Sequence, residues 1–205
     1  MVFMFETEKL LKQQLQEVEL WHRVLPEGDF SAAEDFPKLV STQHQVNFEL
    51  WHQEDMARDP DVSDSKIAAV KRAIDVFNQR RNDLIEQMDQ FLLNIINTEN
   101  VKNNAETEMN SETPGSMIDR LSINALKIYH MDEEIQREEA TAEHREKCVA
   151  KLSVLREQRE DLEQCLAKLL ADLSSGEKRL KVYQQMKMYN DESLNPVLYR
   201  KAESR

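Results

Sequence analysis

The stretch TAEHREKCVAKLSVLREQREDLEQCLAKLLADLSSGEKRLKVYQQMK, residues 141–187, decides the fold. It contains no proline. Cys148, Leu152, Leu155, Arg159, Leu162, Leu166, Leu169, Leu173, Gly176, Leu180 and Tyr183 follow one another at alternating intervals of four and three. That is the heptad spacing of a helix offering one unbroken seam to its neighbours. Thr141 has the side chain of an N-cap, and Glu143 puts a negative charge in the first turn, where the helix dipole favours it. At 1.5 Å per residue such a helix is about 68 Å long, so other helices must pack along it. Two seam positions break the apolar rule: Gly176, which permits a close approach or a bend, and Arg159, a charge where leucine is expected.

The composition outside this helix agrees. The 205 residues include Gly 3 and Pro 5, 32% are charged and 6% aromatic, which suits long amphipathic helices rather than a sheet. A chain of this length supplies one well-buried core, so a single domain over 1–205 is expected. The formal charge of -12 opposes nucleic acid and anionic membrane as partners, because both would meet a like-charged surface. Residues 1–5 run straight into Glu6, too short for a signal peptide, and no apolar run reaches the length of a membrane span. A cytoplasmic protein with no membrane insertion and no cofactor is expected. Cys148 and Cys165 lie on one helix about 25 Å apart by rise and cannot pair with each other. They read as packed thiols.

Hydrophobic period and breakers place five helices near 5–25, 36–59, 64–98, 114–139 and 141–187, with a mobile loop at 100–112 and an irregular tail at 188–205 that folds back. The first is ended by Pro26, Gly28 and Asp29. The second starts between Asp35 and Pro37 and stops at Arg58-Asp59-Pro60. Ser63 or Asp64 caps the third, and Thr113-Pro114 starts the fourth. The fold class is all-α: an antiparallel bundle of about five helices with a long C-terminal heptad-patterned helix. The part of that helix which shorter neighbours cannot cover is offered to a protein partner or to a second copy of the chain.

The tetrapeptide Glu19-Leu20-Trp21-His22 returns as Glu49-Leu50-Trp51-His52. Glu-x-x-His puts carboxylate and imidazole on one helix face, the ligand unit of dimetal carboxylate bundles, and makes Glu19, His22, Glu49 and His52 an alternative metal set. Phase weighs against it. His22 falls inside its apolar stripe, whereas Glu49 and His52 fall about 100° outside the arc of Leu39, Val40, Leu50 and Trp51. No metal site is favoured. Nothing matches a nucleophile elbow, a glycine-rich phosphate loop or paired Cys-x-x-Cys ligands, and those classes are excluded.

Phase also turns polar side chains inward. Gln43, Asn47, Glu54 and Arg58 sit in the arc of the second helix, Arg81 and Asn78 on the stripe of the third, Asp132 on that of the fourth. Counting equal lengths back from each turn levels His22, Gln43, Asn78, Arg81 and Asp132 in one layer. One reading is a polar network that fixes register, Arg81 with Asp132 and Glu54 with Arg58. The other is a pocket in which Arg81 and Arg58 hold a small anion and His22 or Glu54 moves a proton. The first points to a binding or assembly protein, the second to an enzyme.

Trp51-His52-Gln53-Glu54-Asp55 with Arg58-Asp59-Pro60, then Arg120-Leu121-Ser122 through Lys127-Ile128-Tyr129-His130-Met131, resemble a bacterial family known as domain of unknown function 4254. The segments Lys181 through Asp191 and Leu194-Asn195-Pro196-Val197-Leu198-Tyr199 are similar to it as well. The resemblance covers most of the chain after about Val46. It implies a role beside a glycosyltransferase of the cell envelope and brings no catalytic residues. Its motifs draw attention to His52 and His130, which phase puts off the main stripes, so either those faces meet a partner or the stripes are not the whole of the buried surface.

Overall fold

The computed structural model of the protein describes residues 6–26, 35–184 and 193–197. Most of the expected tail lies outside these. Five helices form: α1 Thr7–Trp21, α2 Phe36–Arg58, α3 Asp64–Thr98, α4 Pro114–Gln136 and α5 Ala142–Ser175. Asp35, Ser63, Thr113 and Thr141 each accept a backbone N–H from the first turn of α2 to α5, so the sequence-predicted caps hold those helix starts. The second and fourth helices also carry proline in the first turn, where its missing N–H costs nothing.

The first, fourth and fifth helices end earlier than expected. Most of the difference is in α5, which stops at Ser175 because Gly176 adopts φ 75, the left-handed conformation that glycine takes without a Cβ clash. Glu177 N and Lys178 N then close back on the Asp172 carbonyl at 2.9 and 3.1 Å. The heptad pattern runs on past this point because Leu180 is still buried, now from extended chain rather than helix. The 100–112 segment holds that extended chain in place. The Asn103 side chain donates to Leu180 O at 3.1 Å and accepts from Leu180 N at 3.0 Å, and Arg179 N donates to Glu108 O at 3.0 Å. What reads in sequence as a polar loop without anchors is a backbone clasp.

Helices α2 and α3 form one antiparallel hairpin and α4 and α5 another, and the two hairpins pack through α2, α3 and α4. Helix α1 lies on α4, α2 and α5. It runs parallel to both α4 and α2: Gln14 meets Ile118 and His22 meets Tyr129, while Glu17 meets Ser41 and His22 meets His52. Equal counting across an assumed turn therefore misplaces His22, which levels with His52 and not with Val40. The main core gathers Leu11, Phe36, Val46, Leu84, Met88, Leu92, Ile118, Leu121, Leu166 and Leu173. A second cluster, Val18, Trp21, Phe48, Ala125 and Leu126, closes the end of the bundle where α1, α2 and α4 finish. At about 25 cal/mol for each Å² of apolar surface buried, these side chains supply the bulk of the stabilisation.

Arg159, the charge in the α5 seam, is 7% exposed and donates to Leu121 O at 3.0 Å and Leu11 O at 2.5 Å. Burial lowers its pKa to about 10, so it stays cationic at neutral pH. It ties α5 to α4 and α1 through backbone carbonyls. Cys148 is packed, as expected; Cys165 is exposed.

Candidate functional site

At mid-height the bundle holds a buried polar layer centred on Asp119. Its Oδ1 accepts from Gln43 Nε2 (2.7 Å), Asn47 Nδ2 (3.0 Å) and Arg81 Nε (2.7 Å), and its Oδ2 pairs with Arg81 Nη2. The paired carboxylate raises the already high pKa of Arg81. Asn47 also donates to Ser122 Oγ (2.8 Å), whose hydroxyl donates to His44 Nδ1 (2.7 Å), and His44 Nε2–H donates to Gln14 O (2.9 Å). Burial lowers the His44 pKa to about 3, so this imidazole is neutral and acts as a fixed donor and acceptor.

Gln43 and Arg81 thus share a layer as expected, but the carboxylate is Asp119 and not Asp132. Helix α4 is central and buries Ile118, Asp119, Leu121, Ser122, Ala125 and Leu126 on more than one face, so a single-stripe phase selects the wrong acid. Asp132 is half-buried, accepts from Gln136 and lines a different pocket, of about 440 Å³. Asn78 is half-buried on α3, one turn before Arg81. Glu54 and Arg58 form the expected pair at 2.9 Å, yet at the surface, with side chains 41% and 68% exposed.

Next to this layer, Asn47, Trp51, Glu54, Asp55, Arg58 and Arg81 line a cleft of about 330 Å³ between α2, α3 and α4. Arg81 gives its Nε and Nη2 to Asp119 and is itself among the residues that line the cleft. Asn47 is 3% exposed, and its Oδ1 has no partner among the described residues. His22 does not line this cleft, so the anion-and-imidazole site expected from sequence is divided in two.

The second part is a cluster of rings at the closed end of the bundle. His22 lies 5.2 Å from His52 and 5.0 Å from His130, centroid to centroid, and His52 lies 6.0 Å from His130. Tyr129 stacks on His22 at 4.0 Å, Trp51 on His130 at 4.7 Å, and Phe48 meets His52 edge-on at 4.5 Å. Trp51 separates cleft from cluster and touches both. Burial holds the pKa values of His52 and His130 below the usual imidazole value. A ring nitrogen of His22, one of His130 and a carboxylate oxygen of Glu133 lie within 4.8 Å of one another. The alternative metal set is only half assembled. His22 and His52 meet, whereas Glu19 pairs outward with Arg23 and Glu49, its pKa raised by burial, is half-buried on α2. His52 and His130 do face one another because α2 has a second buried face, His44-Phe48-His52, turned to α1.

A family model described as protein of unknown function, DUF4254, matches residues 37–182, from the first turn of α2 to the clasped chain after α5. The chain belongs to this family. No curated protein and no solved structure matches it. Within the DUF4254 match lie Arg81, Asp119, His52, His130 and Glu133, while Gln14 and His22 on the α1 side precede it. The tail segments that resemble the family in sequence fall mostly beyond the matched range. Among the described residues no helix is long and apolar enough to cross a membrane.

Proposed function

We propose that this DUF4254 protein is a binding protein that takes a small hydroxylated anion in the cleft between α2, α3 and α4. The observation that carries this reading is Arg81. Its guanidinium lines the cleft with Nε and Nη2 held by Asp119, so a carboxylate or phosphate would meet the remaining N–H donors of a group that is already oriented. Arg58 at the rim, paired with Glu54 at 2.9 Å, exchanges that carboxylate for the ligand's, and Asn47 Oδ1, buried and unpartnered among the described residues, accepts a ligand hydroxyl once its side chain turns to the cleft. Trp51 supplies the apolar wall. A sugar phosphate has all three features, which accords with the place beside sugar transfer that the family resemblance implies.

Thermal-shift titration of the full chain tests this with inorganic phosphate, hydroxycarboxylates, sugar phosphates and neutral sugars. A saturable rise in Tm with a hydroxylated anion is expected, and Arg58→Ala, an exposed position that the fold does not need, weakens it about tenfold. If neutral sugars stabilise as well as charged ones, or if Arg58→Ala binds as tightly as wild type, the cleft is not an anion site. An assembly role has its own observation, an apolar groove of about 690 Å³ lined by Trp51, Met131, Val154 and Leu155. A dimer in solution that Val154→Asp disperses supports that role, and a monomer at all concentrations removes the second-copy form of it.

A further inference from the structure

Three imidazoles, from α1, α2 and α4, meet beside the cleft without taking part in it. His22 donates its Nδ1 proton to the Val18 carbonyl at 2.7 Å, and His130 donates its own to Glu133 Oε2 at 2.8 Å. A carbonyl and an ionised carboxylate are acceptors only, so Nδ1 carries the proton in both rings, and the neutral form of each has its lone pair on Nε2. Both Nε2 atoms are buried without a partner among the described residues. One buried acceptor left unsatisfied costs about 1–3 kcal/mol, and two in one cluster call for a cause. A bound cation supplies it.

The spacing agrees. Imidazoles bound to one tetrahedral ion at about 2.1 Å have ring centroids about 5 Å apart, which matches His22 with His130 (5.0 Å) and His22 with His52 (5.2 Å). His52 lies outside the set that His22, His130 and a Glu133 oxygen form within 4.8 Å, and its centroid is 6.0 Å from that of His130, so it is the outlying member of the three. Glu133 on the far nitrogen of His130 is the outer carboxylate that fixes ring and tautomer in imidazole metal sites. Stacking on Tyr129 and Trp51 holds His22 and His130 in place. Glu133 is half exposed and gives an ion its way in.

We propose that His22 and His130 bind a divalent transition-metal ion of the zinc, cobalt and nickel class, with His52 as third imidazole and Glu133 as the supporting carboxylate. Neutral imidazole ligands select these ions over magnesium and calcium, which take oxygen. The site uses none of the cleft's charged groups and stands whether or not the cleft binds an anion.

The test is titration of the chelator-stripped full chain with Co²⁺, followed by its visible absorption and by displacement with Zn²⁺. A signal that saturates at one equivalent and is erased by Zn²⁺ is expected. His22→Gln and His130→Gln lower the affinity about 100-fold or more, and Glu133→Gln, on an exposed side chain that leaves the fold intact, about 10- to 100-fold. His144→Gln changes nothing, since that imidazole belongs to a separate group with Glu134 and Cys148. Arg58→Ala leaves Co²⁺ binding unchanged, which keeps this result apart from that of the cleft. No saturable signal from wild type, a Glu133→Gln variant that binds as wild type does, or loss of binding in His144→Gln instead would each overturn the site.

Discussion

Replacing Asp119 by alanine removes the acceptor that Gln43, Asn47 and Arg81 share. Asp119 is 4% exposed, so none of the three donors finds water in the space it leaves without moving. Breaking a buried ion pair from one side costs about 3–5 kcal/mol, chiefly because the other charge stays behind unpaired. The Arg81 side chain is 25% exposed at the cleft and recovers part of its hydration there, which puts the loss near the lower end, about 3 kcal/mol. Asp119→Asn keeps an acceptor and loses the charge, so it falls between wild type and Asp119→Ala. Urea unfolding, followed by far-UV circular dichroism and by the fluorescence of Trp21 and Trp51, measures each. In a double-mutant cycle Arg81→Met costs much less on the Asp119→Ala background than on wild type, because the charge it removes has already lost its partner. A loss below about 1 kcal/mol for Asp119→Ala, or additive effects in the cycle, would refute the view that this pair sets the register of α3 on α4.

Two further perturbations act where α4 begins on α3. A Cβ at Gly115 would stand 2.7 Å from Ile85 O and 2.8 Å from Asp89 Oδ1, so Gly115→Ala pushes α4 off α3 and strains the 2.7 Å bond from Gly115 N to Asp89. A loss of about 2 kcal/mol is expected by thermal unfolding, and an alanine variant as stable as wild type would disprove the close approach. Burial raises the Asp89 pKa to about 6 from 3.8. Between those values the folded chain holds a proton that the unfolded chain has lost. Stability from this group is therefore greatest below pH 3.8 and falls as pH rises to about 6, by up to about 3 kcal/mol. Asp89→Asn keeps the acceptor for Gly115 and removes the titration, so its stability relative to wild type should rise across that window. A difference that stays flat with pH would show Asp89 to be ionised throughout.

The helices were legible because their signals are local. Asp35, Ser63, Thr113 and Thr141 cap as their positions imply, and Arg159 is buried where its place in the heptad puts it. The polar layer was legible only in part. Phase located Arg81, on a helix with one dominant buried face, and Gln43 and Asn47, which keep step with Leu39, Val40, Leu50 and Trp51. It missed Asp119, Ser122 and His44, because α4 and the middle of α2 are buried on more than one side and a single stripe does not take in every inward position. The usable signal was the composition: a run such as Met117 to Leu126 that is apolar or small and uncharged apart from Asp119 and Arg120 marks a central helix, and an acid inside it needs a cation on a neighbour. The end of α5 was hidden because Leu180 keeps the heptad phase after the helix has stopped.

The ring cluster depends on direction, which no local pattern encodes. If α1 ran against α2, His22 would level with Val40, about 18 Å along α2 from His52 at 1.5 Å per residue. The connection from 22 to 35 can span up to about 46 Å when extended, against about 23 Å for the length of α1, so the chain can return to the start of α1 before α2 begins. With α1, α2 and α4 side by side in one sense, a histidine from each comes to the same end. Of the repeated Glu-x-x-His only the histidines meet, since Glu19 turns out to Arg23 while His22 and His52 turn in. Its third member, His130, comes from a helix without the repeat. As the C-cap of α1, His22 spends Nδ1 on the last turn of its own helix, and that leaves Nε2 for the cluster, at the negative end of the helix dipole, where a cation is favoured.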